Sequence, residues 1–599
     1  MQSKPALLTG LSALLLTSAA APVPLAAQRA VVPPPDTYSP VRCRVGQPEY
    51  NYAPPPVAPQ PRRGGKTKAD RSADSIVVTG SLSKRQERSR AGAVPSYAPP
   101  APAAPPPPPV MAMPAPSGAY NNYAAPYGSK ANTERYDGKA VASIQAVAAA
   151  PVSTFSVDVD TGSYANVRRF LNDGNVPPPD AVRTEEMINY FRYDYPRPSD
   201  RTQPFSVTTD VAKTPWNPNT RLLRIGLRGY DVATNDRPRA NLVFLVDVSG
   251  SMNEPDKLPL VKSALTTLAD RLRPNDKVSI VVYAGNAGIV LEPTADKRYV
   301  KAALDCLQAG GSTAGGAGIK LAYDTARANF VPGGINRIFL ATDGDFNIGI
   351  SDNKTLEEMV KAQRDDGITL TTLGFGQGNY NEAMMERIAD VGNGNYAYID
   401  SEREAEKVLD DELSATMVTI ARDVKVQVEF NPAAVKEYRL IGYENRALAE
   451  EDFNNDAVDA GDMGAGHQVT ALYEIVPANG AGWLPDRRYP ANARPGRPAP
   501  VGGNELAFVK LRYKLPEGGA SRLISRTVPA SLMASAAYPS GDMAFVTAVA
   551  AFGQKLRGDK YLGAYRYADI ARLAGSPNGY WRQEFVKLTS LAGSRGAAD

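Results

Sequence analysis

A chain of 599 residues has room for about four domains, but its 51 prolines are far from evenly spread, so part of that length is not globular. A formal net charge of +4 offers neither the electrostatic footprint of a nucleic-acid binder nor a polybasic membrane anchor. Two cysteines, Cys43 and Cys306, cannot build a disulfide framework or a cysteine zinc site, and a lone histidine, His467, cannot build a histidine metal cluster.

Residues 1–27 carry Lys4, an apolar LLTGLSALLL and small residues ending in Leu25-Ala26-Ala27. This is the pattern of a secretory signal peptide cut after Ala27, with an apolar core too short to span a bilayer. No cysteine follows closely enough for lipidation, so export without a transmembrane anchor in the mature chain is expected, to the periplasm or the outer-membrane and cell surface. Residues 28–140 are rich in Pro, Ala and Tyr, with APPAPAAPPPPPV at Ala98 to Val110. Such a segment buries too little apolar surface to order itself and reads as an extended tether, a means of envelope association. Asp74 to Ser81, DSIVVTGS, interrupts it and resembles the start of the plug region in TonB-dependent outer-membrane receptors, although no plug domain follows. It reads as a short docking peptide or as an incidental β-prone patch.

Structure resumes in residues 150–236. A short strand leads into a helix carrying Tyr164, Val167, Phe170 and Leu171 at helical spacing. Asp160 to Ser163, DTGS, matches the aspartic-protease signature, which needs a second carboxylate from a second motif or subunit; no other Asp-Ser/Thr-Gly occurs in the chain. With the helix starting at once, Asp160 and Ser163 read as N-cap candidates. Phe205 to Ala212 and Arg221 to Gly229 alternate as strands.

Residues 239–419 alternate strand and helix, which predicts a Rossmann-like α/β domain: a doubly wound parallel sheet covered by helices on both faces. The first strand, Leu242 to Val246, is apolar throughout, and Asp247, Ser249 and Ser251 follow where strand gives way to loop. Spaced by two, their side chains can converge on one point with hard oxygens only. A carboxylate and two hydroxyls suit Mg²⁺, with Ca²⁺ or Mn²⁺ as alternatives, Mg²⁺ being favoured because it accepts few protein ligands plus waters. Downstream, a glycine-rich loop carries Thr313, and a second buried-type strand, RIFLAT, ends at Asp343-Gly344-Asp345. In doubly wound sheets ligands sit at the carboxyl ends of strands, where Asp247 and Asp343 both fall.

Asp-x-Ser-x-Ser, a loop Thr and a strand-end Asp, in that order, resemble the metal-ion-dependent adhesion site of von Willebrand factor type A (VWA) domains. The resemblance implies metal ligands Asp247, Ser249, Ser251, Thr313 and Asp343, with an open coordination position that an Asp or Glu of a partner protein completes. It also implies a last helix, from about Glu402 to Thr416, that moves on partner binding in some VWA domains. A catalytic role is not expected of this site. One alternative is a metal-dependent hydrolase of the cell envelope, whose general base would have to be Asp345; another is a structural envelope protein with a vestigial site.

Residues 420–595 begin with alternating strands, VKVQVEF, VTALYEIV and LAFVKLRYKL, and end in helices from about Ser531. These strands and those before residue 236 need partners, which predicts one antiparallel β-domain built from both flanks around the VWA domain. The stretch from TFSVDVDTGS through RTEEMINYFRYDYPRP resembles the small domain found beside some bacterial VWA domains, and the region after residue 420 resembles the C-terminal domain of YfbK-like proteins. His467, in GAGHQV, reads as a surface or turn residue, and Cys306 as a small core residue of a helix. Asp452 to Asp456 starts like a calcium loop but has Ala457 in place of the turn glycine, so it reads as a polar surface loop.

Overall fold

The structure is a computed structural model that describes residues 133–199, 202–344, 353–412, 417–485 and 503–595. The expected signal peptide of residues 1–27, the DSIVVTGS island, Cys43 and Asp345 lie outside these residues.

The first flank supplies β1 (Gln145–Ala146), β2 (Val152–Ser156), α1 (Gly162–Asn172), α2 (Thr184–Asn189), β3 (Phe205–Lys213) and β4 (Arg221–Gly229). The second supplies β11 (Thr419–Phe430), β12 (Val435–Ile441), β13 (Ala447–Leu448), β14 (Met463–Gly464), β15 (Gln468–Pro477), β16 (Glu505–Lys514) and β17 (Arg522–Pro529). They interleave in two antiparallel sheets, ordered β1-β12-β15-β4-β3 and β13-β2-β11-β16-β17, with β14 also on β11. β4 pairs along its length with β15, Ile225 opposite Ala471, and β2 pairs with β11. The flanks thus share both sheets, and the central domain is inserted between them.

Alternation sets which residues face which layer. On β4, Leu223, Ile225 and Leu227 enter the core between the two sheets, with Val424, Val426, Val428 and Phe430 of β11 opposite. Leu222 turns the other way, into a second core with α1, α2 and the C-terminal helices α10 (Gly541–Leu556), α11 (Tyr567–Ala574) and α12 (Tyr580–Ser594), which follow a short α9 (Ser531–Ala534). Gly226 is required on this face because a Cβ there would meet the Tyr195 ring at 2.3 Å. Among the described residues, no helix is long and apolar enough to cross a membrane.

The central domain runs β5 (Ala240–Asp247), α3 (Leu258–Arg271), β6 (Lys277–Tyr283), β7 (Ala287–Thr294), α4 (Lys297–Asp305), α5 (Gly315–Ala328), β8 (Ile335–Thr342), α6 (Asn353–Asp365), β9 (Thr369–Phe375), α7 (Glu382–Val391), β10 (Tyr396–Ile399) and α8 (Glu402–Glu406). Its sheet is ordered β10-β9-β8-β5-β6-β7. Every residue of β5 is buried, as expected of a central strand with helices on both faces. Leu258, Val261, Leu265 and Leu268 of α3 fill the core on one face, while Ile319, Ala322 and Ala326 of α5 fill the other.

Several expectations need correction. The sheet is mixed rather than wholly parallel, because β7 turns back antiparallel on β6 through a tight Ala284-Gly285-Asn286 connection. The tether does not reach residue 140: Thr133 and Arg135 donate backbone hydrogen bonds to Gly378 and Tyr380, and buried Glu134 pairs with Arg169 at 3.0 Å. A charged anchor of this kind leaves no hydropathy signal. Neither Asp160 nor Ser163 caps α1. Thr161 holds the cap position, Asp160 accepts the Tyr396 N–H, and the Ser163 hydroxyl bridges Ala181 and Arg183. His467 is a turn residue but is buried rather than at the surface; its Nδ1 accepts the Gly464 N–H, and burial lowers its pKa to about 3. Cys306 caps α4, half-buried, and its thiol meets the Ala303 carbonyl. The last helix of the central domain changes after Glu406 into a π-helical turn, Lys407–Glu412.

Candidate metal centre

The chain leaves β5 toward β6 on one side and returns as β8 on the other, so the carboxyl end of β5 is the switch point of the sheet. Parallel pairing of β5 with β8 sets Val246 beside Ala341. Asp247 and Asp343 therefore emerge from neighbouring strand ends, both fully buried.

The Asp247 carboxylate is held from three sides. Oδ1 accepts the Ser249 N–H at 2.9 Å; Oδ2 accepts the Tyr283 hydroxyl at 3.0 Å and the Thr342 hydroxyl at 2.9 Å. Burial, and then the negative charge of Asp343, push its pKa up to about 6 against the hydrogen bonds of Ser249 and Thr342. Ser249 and Ser251 bring their hydroxyl oxygens within 3.1 Å of each other, and Ser251 also hydrogen-bonds Asp343. For Asp343, burial alone would raise the pKa; Lys257, with Ser251 and Asn379, overcomes it and holds the carboxyl below the usual range. Lys257 Nζ lies 3.0 Å from Asp343 Oδ2 and 2.9 Å from Asn379 Oδ1.

Four of the five expected residues thus gather in one cluster. Thr313 comes from a second loop. Its loop is stitched to the Asp247–Ser251 loop by Gly250 N–H to Gly311 O at 3.0 Å and Gly310 N–H to Val248 O at 2.8 Å. Its half-buried hydroxyl has no hydrogen-bond partner among the described residues.

Among the described residues, no group of three or more His, Cys, Asp or Glu is placed to hold a metal, so a centre built from them would need other oxygen donors beside its carboxylates. The Asp247 cluster meets that condition with two carboxylates and two serine hydroxyls. Adjacent ligands on octahedral Mg²⁺ stand about 2.9 Å apart, and the serine pair at 3.1 Å fits. Tyr283, Thr342, Lys257 and Asn379 were not legible as site residues. Tyr283 and Thr342 look like ordinary strand ends, and Lys257 and Asn379 come from loops that only the fold brings together.

Matches to family models agree with this architecture. The family described as von Willebrand factor type A domain matches residues 241–411, von Willebrand factor matches residues 130–224, and the C-terminal region of YfbK matches residues 415–594. The YfbK protein of Escherichia coli (strain K12) is 48% identical over 462 residues, covering 75% of this chain and 79% of its own length. Among solved structures, a von Willebrand factor type A protein from Catenulispora acidiphila is similar over 67% of this chain and 91% of its own, at 16% identity and TM-score 0.37. BatB from Bacteroides thetaiotaomicron is similar over 29% of this chain and 97% of its own, at 26% identity and TM-score 0.26. The chain belongs to the YfbK family and carries a von Willebrand factor type A domain at its centre.

Proposed function

We propose that the protein is an exported, divalent-metal-dependent protein-binding module rather than an enzyme. The observation that carries this reading is the convergence of Asp247, Ser249, Ser251 and Asp343 at the switch point of the central sheet. VWA domains often mediate metal-dependent protein interactions, and the donor set here consists of hard oxygens suited to Mg²⁺, Ca²⁺ or Mn²⁺. A bound divalent ion would supply an electrophilic position for an Asp or Glu of the partner. Asp247 provides the negative charge, fixed in orientation by Tyr283 and Thr342. Ser249 and Ser251 set the spacing of the neutral ligands, and Thr313 supplies a further hydroxyl from the adjoining loop. Loops around the strand ends select the partner by shape. Export is supported by the leader pattern of residues 1–27, and the Pro-rich composition after it suits a tether to the envelope.

The experiment is capture of envelope proteins on the immobilised chain in Mg²⁺ and in EDTA, with Asp247→Ala as control. Capture that requires both Mg²⁺ and Asp247, with the variant still folded by circular dichroism, is expected. Capture that persists unchanged in EDTA and in Asp247→Ala contradicts the reading. Turnover of a peptide or phosphoester that Asp247→Ala removes would instead establish a hydrolase.

A further inference from the structure

Lys257 is foreign to the oxygen donor set, yet it is built into it. It lies ten residues beyond Asp247, at the N-cap of α3, and is 4% exposed. Its stem runs along the turn after β9, where Gly376 has φ +72° and a Cβ would meet Lys257 Cγ at 2.3 Å. That turn must therefore be glycine, both for its left-handed backbone and for the space the lysine stem fills. The ammonium ends between Asp343 Oδ2 at 3.0 Å and Asn379 Oδ1 at 2.9 Å, and Asn379 Nδ2 donates to the same Asp343 oxygen at 3.0 Å. Three segments, the start of α3, the end of β8 and the loop after β9, thus converge to seat one positive charge on one of the two carboxylates of the proposed metal centre.

We infer that Lys257 is the resident counter-cation of this site: in the metal-free protein its ammonium compensates Asp343, and it opposes entry of a divalent ion. The inference rests on the metal-site reading above and adds its regulation. A buried carboxylate left without a counter-charge is strongly unfavourable, and Lys257 supplies that charge from within the chain. A dication drawing on Asp343 would share that carboxylate with the ammonium, in a buried setting where like charges repel strongly. Metal and lysine therefore compete for one carboxylate. The affinity of the site is set by their difference, not by the oxygen ligands alone.

The test compares the wild type with Lys257→Met, which keeps the stem against Gly376 and removes the charge, and with Lys257→Arg, which keeps the charge. Thermal unfolding is followed in EDTA and in Mg²⁺, and Mn²⁺ binding by calorimetry. Lys257→Met is expected to melt lower than wild type in EDTA, to gain more from Mg²⁺, and to bind Mn²⁺ at least tenfold more tightly. Lys257→Arg should not tighten binding. A Lys257→Met protein that folds only with Mg²⁺ present meets the same expectation. Mn²⁺ affinity of Lys257→Met less than threefold tighter than wild type, or weaker, overturns the inference while leaving the metal site standing. If folded wild type binds no Mn²⁺ and Lys257→Met does, the lysine blocks the site; if neither binds, both readings fall.

Discussion

Tyr283→Phe removes one oxygen and should reveal how the candidate centre is oriented. The Tyr283 ring is fully buried at the end of β6, and its hydroxyl is one of two donors to Asp247 Oδ2, at 3.0 Å beside Thr342 at 2.9 Å. Deleting the hydroxyl leaves the packing of the ring intact and takes one of three donors from the carboxylate. A hydrogen bond to a charged, buried acceptor contributes about 1.5–3 kcal/mol, so the metal-free variant should lose stability in that range on chemical denaturation. Removing a group that orients a metal ligand typically weakens metal binding about 10–100-fold, and Mn²⁺ calorimetry should show a loss of that size. Thr342→Val, acting on the same oxygen from the neighbouring strand, should behave alike. If Tyr283→Phe keeps wild-type Mn²⁺ affinity while stability falls, Asp247 is a structural carboxylate and its geometry does not serve a metal.

Other perturbations test the joints between layers. Arg439 is 1% exposed and binds Glu474 at 2.8 Å, Asp559 at 2.8 Å and Gln554 at 2.6 Å, tying the β-sandwich to α10. Arg439→Met strands two buried carboxylates and should cost about 3–5 kcal/mol in denaturant unfolding; a loss below 1 kcal/mol would show that they are neutral in the fold. Where the first flank meets α7, burial, then Glu444 and Asp158, push Glu185 up to about 8. Burial, with Asp158 and Glu382 opposing Arg183, pushes Glu186 to about 8, and burial pushes Glu382 to about 7 against the pull of Arg183. These folded values lie above the unfolded carboxylate value near 4.3, so their stabilising contribution is complete below about pH 4 and is lost progressively as pH rises from there through about 8. The melting temperature should therefore fall between about pH 5 and 8, and Glu185→Gln should flatten that fall; an unchanged pH slope in the variant would contradict the assignment.

Sequence pattern carried a good deal of this. The β5 strand was legible because five consecutive apolar residues end in oxygen-bearing side chains, and an antiparallel β-domain shared by the flanks was legible because VKVQVEF alternates cleanly, although its division into two sheets was not. β7 was missed because GNAG reads as a loop, whereas three residues suffice to turn β6 back on itself. The contacts holding the central domain to its flanks were also hidden. Arg168 reaches Asp400, Glu404 and Glu584, and Arg446 reaches Asp160 and Asp390. Long-range ion pairs have no periodicity, so no local window reveals them. The same holds for the site. Asp247, Ser249 and Ser251 advertise themselves by adjacency, while Lys257, Tyr283 and Asn379 acquire meaning only once separate elements meet.

The most direct test of the account is a crystal of the chain grown with Mn²⁺ and measured at the manganese absorption edge. The account predicts one anomalous peak within about 2.5 Å of the Ser249 and Ser251 hydroxyls, beside Asp247 and Asp343, and no such peak from Asp247→Ala crystals. A peak elsewhere, or none at the end of β5 at saturating Mn²⁺, would contradict it.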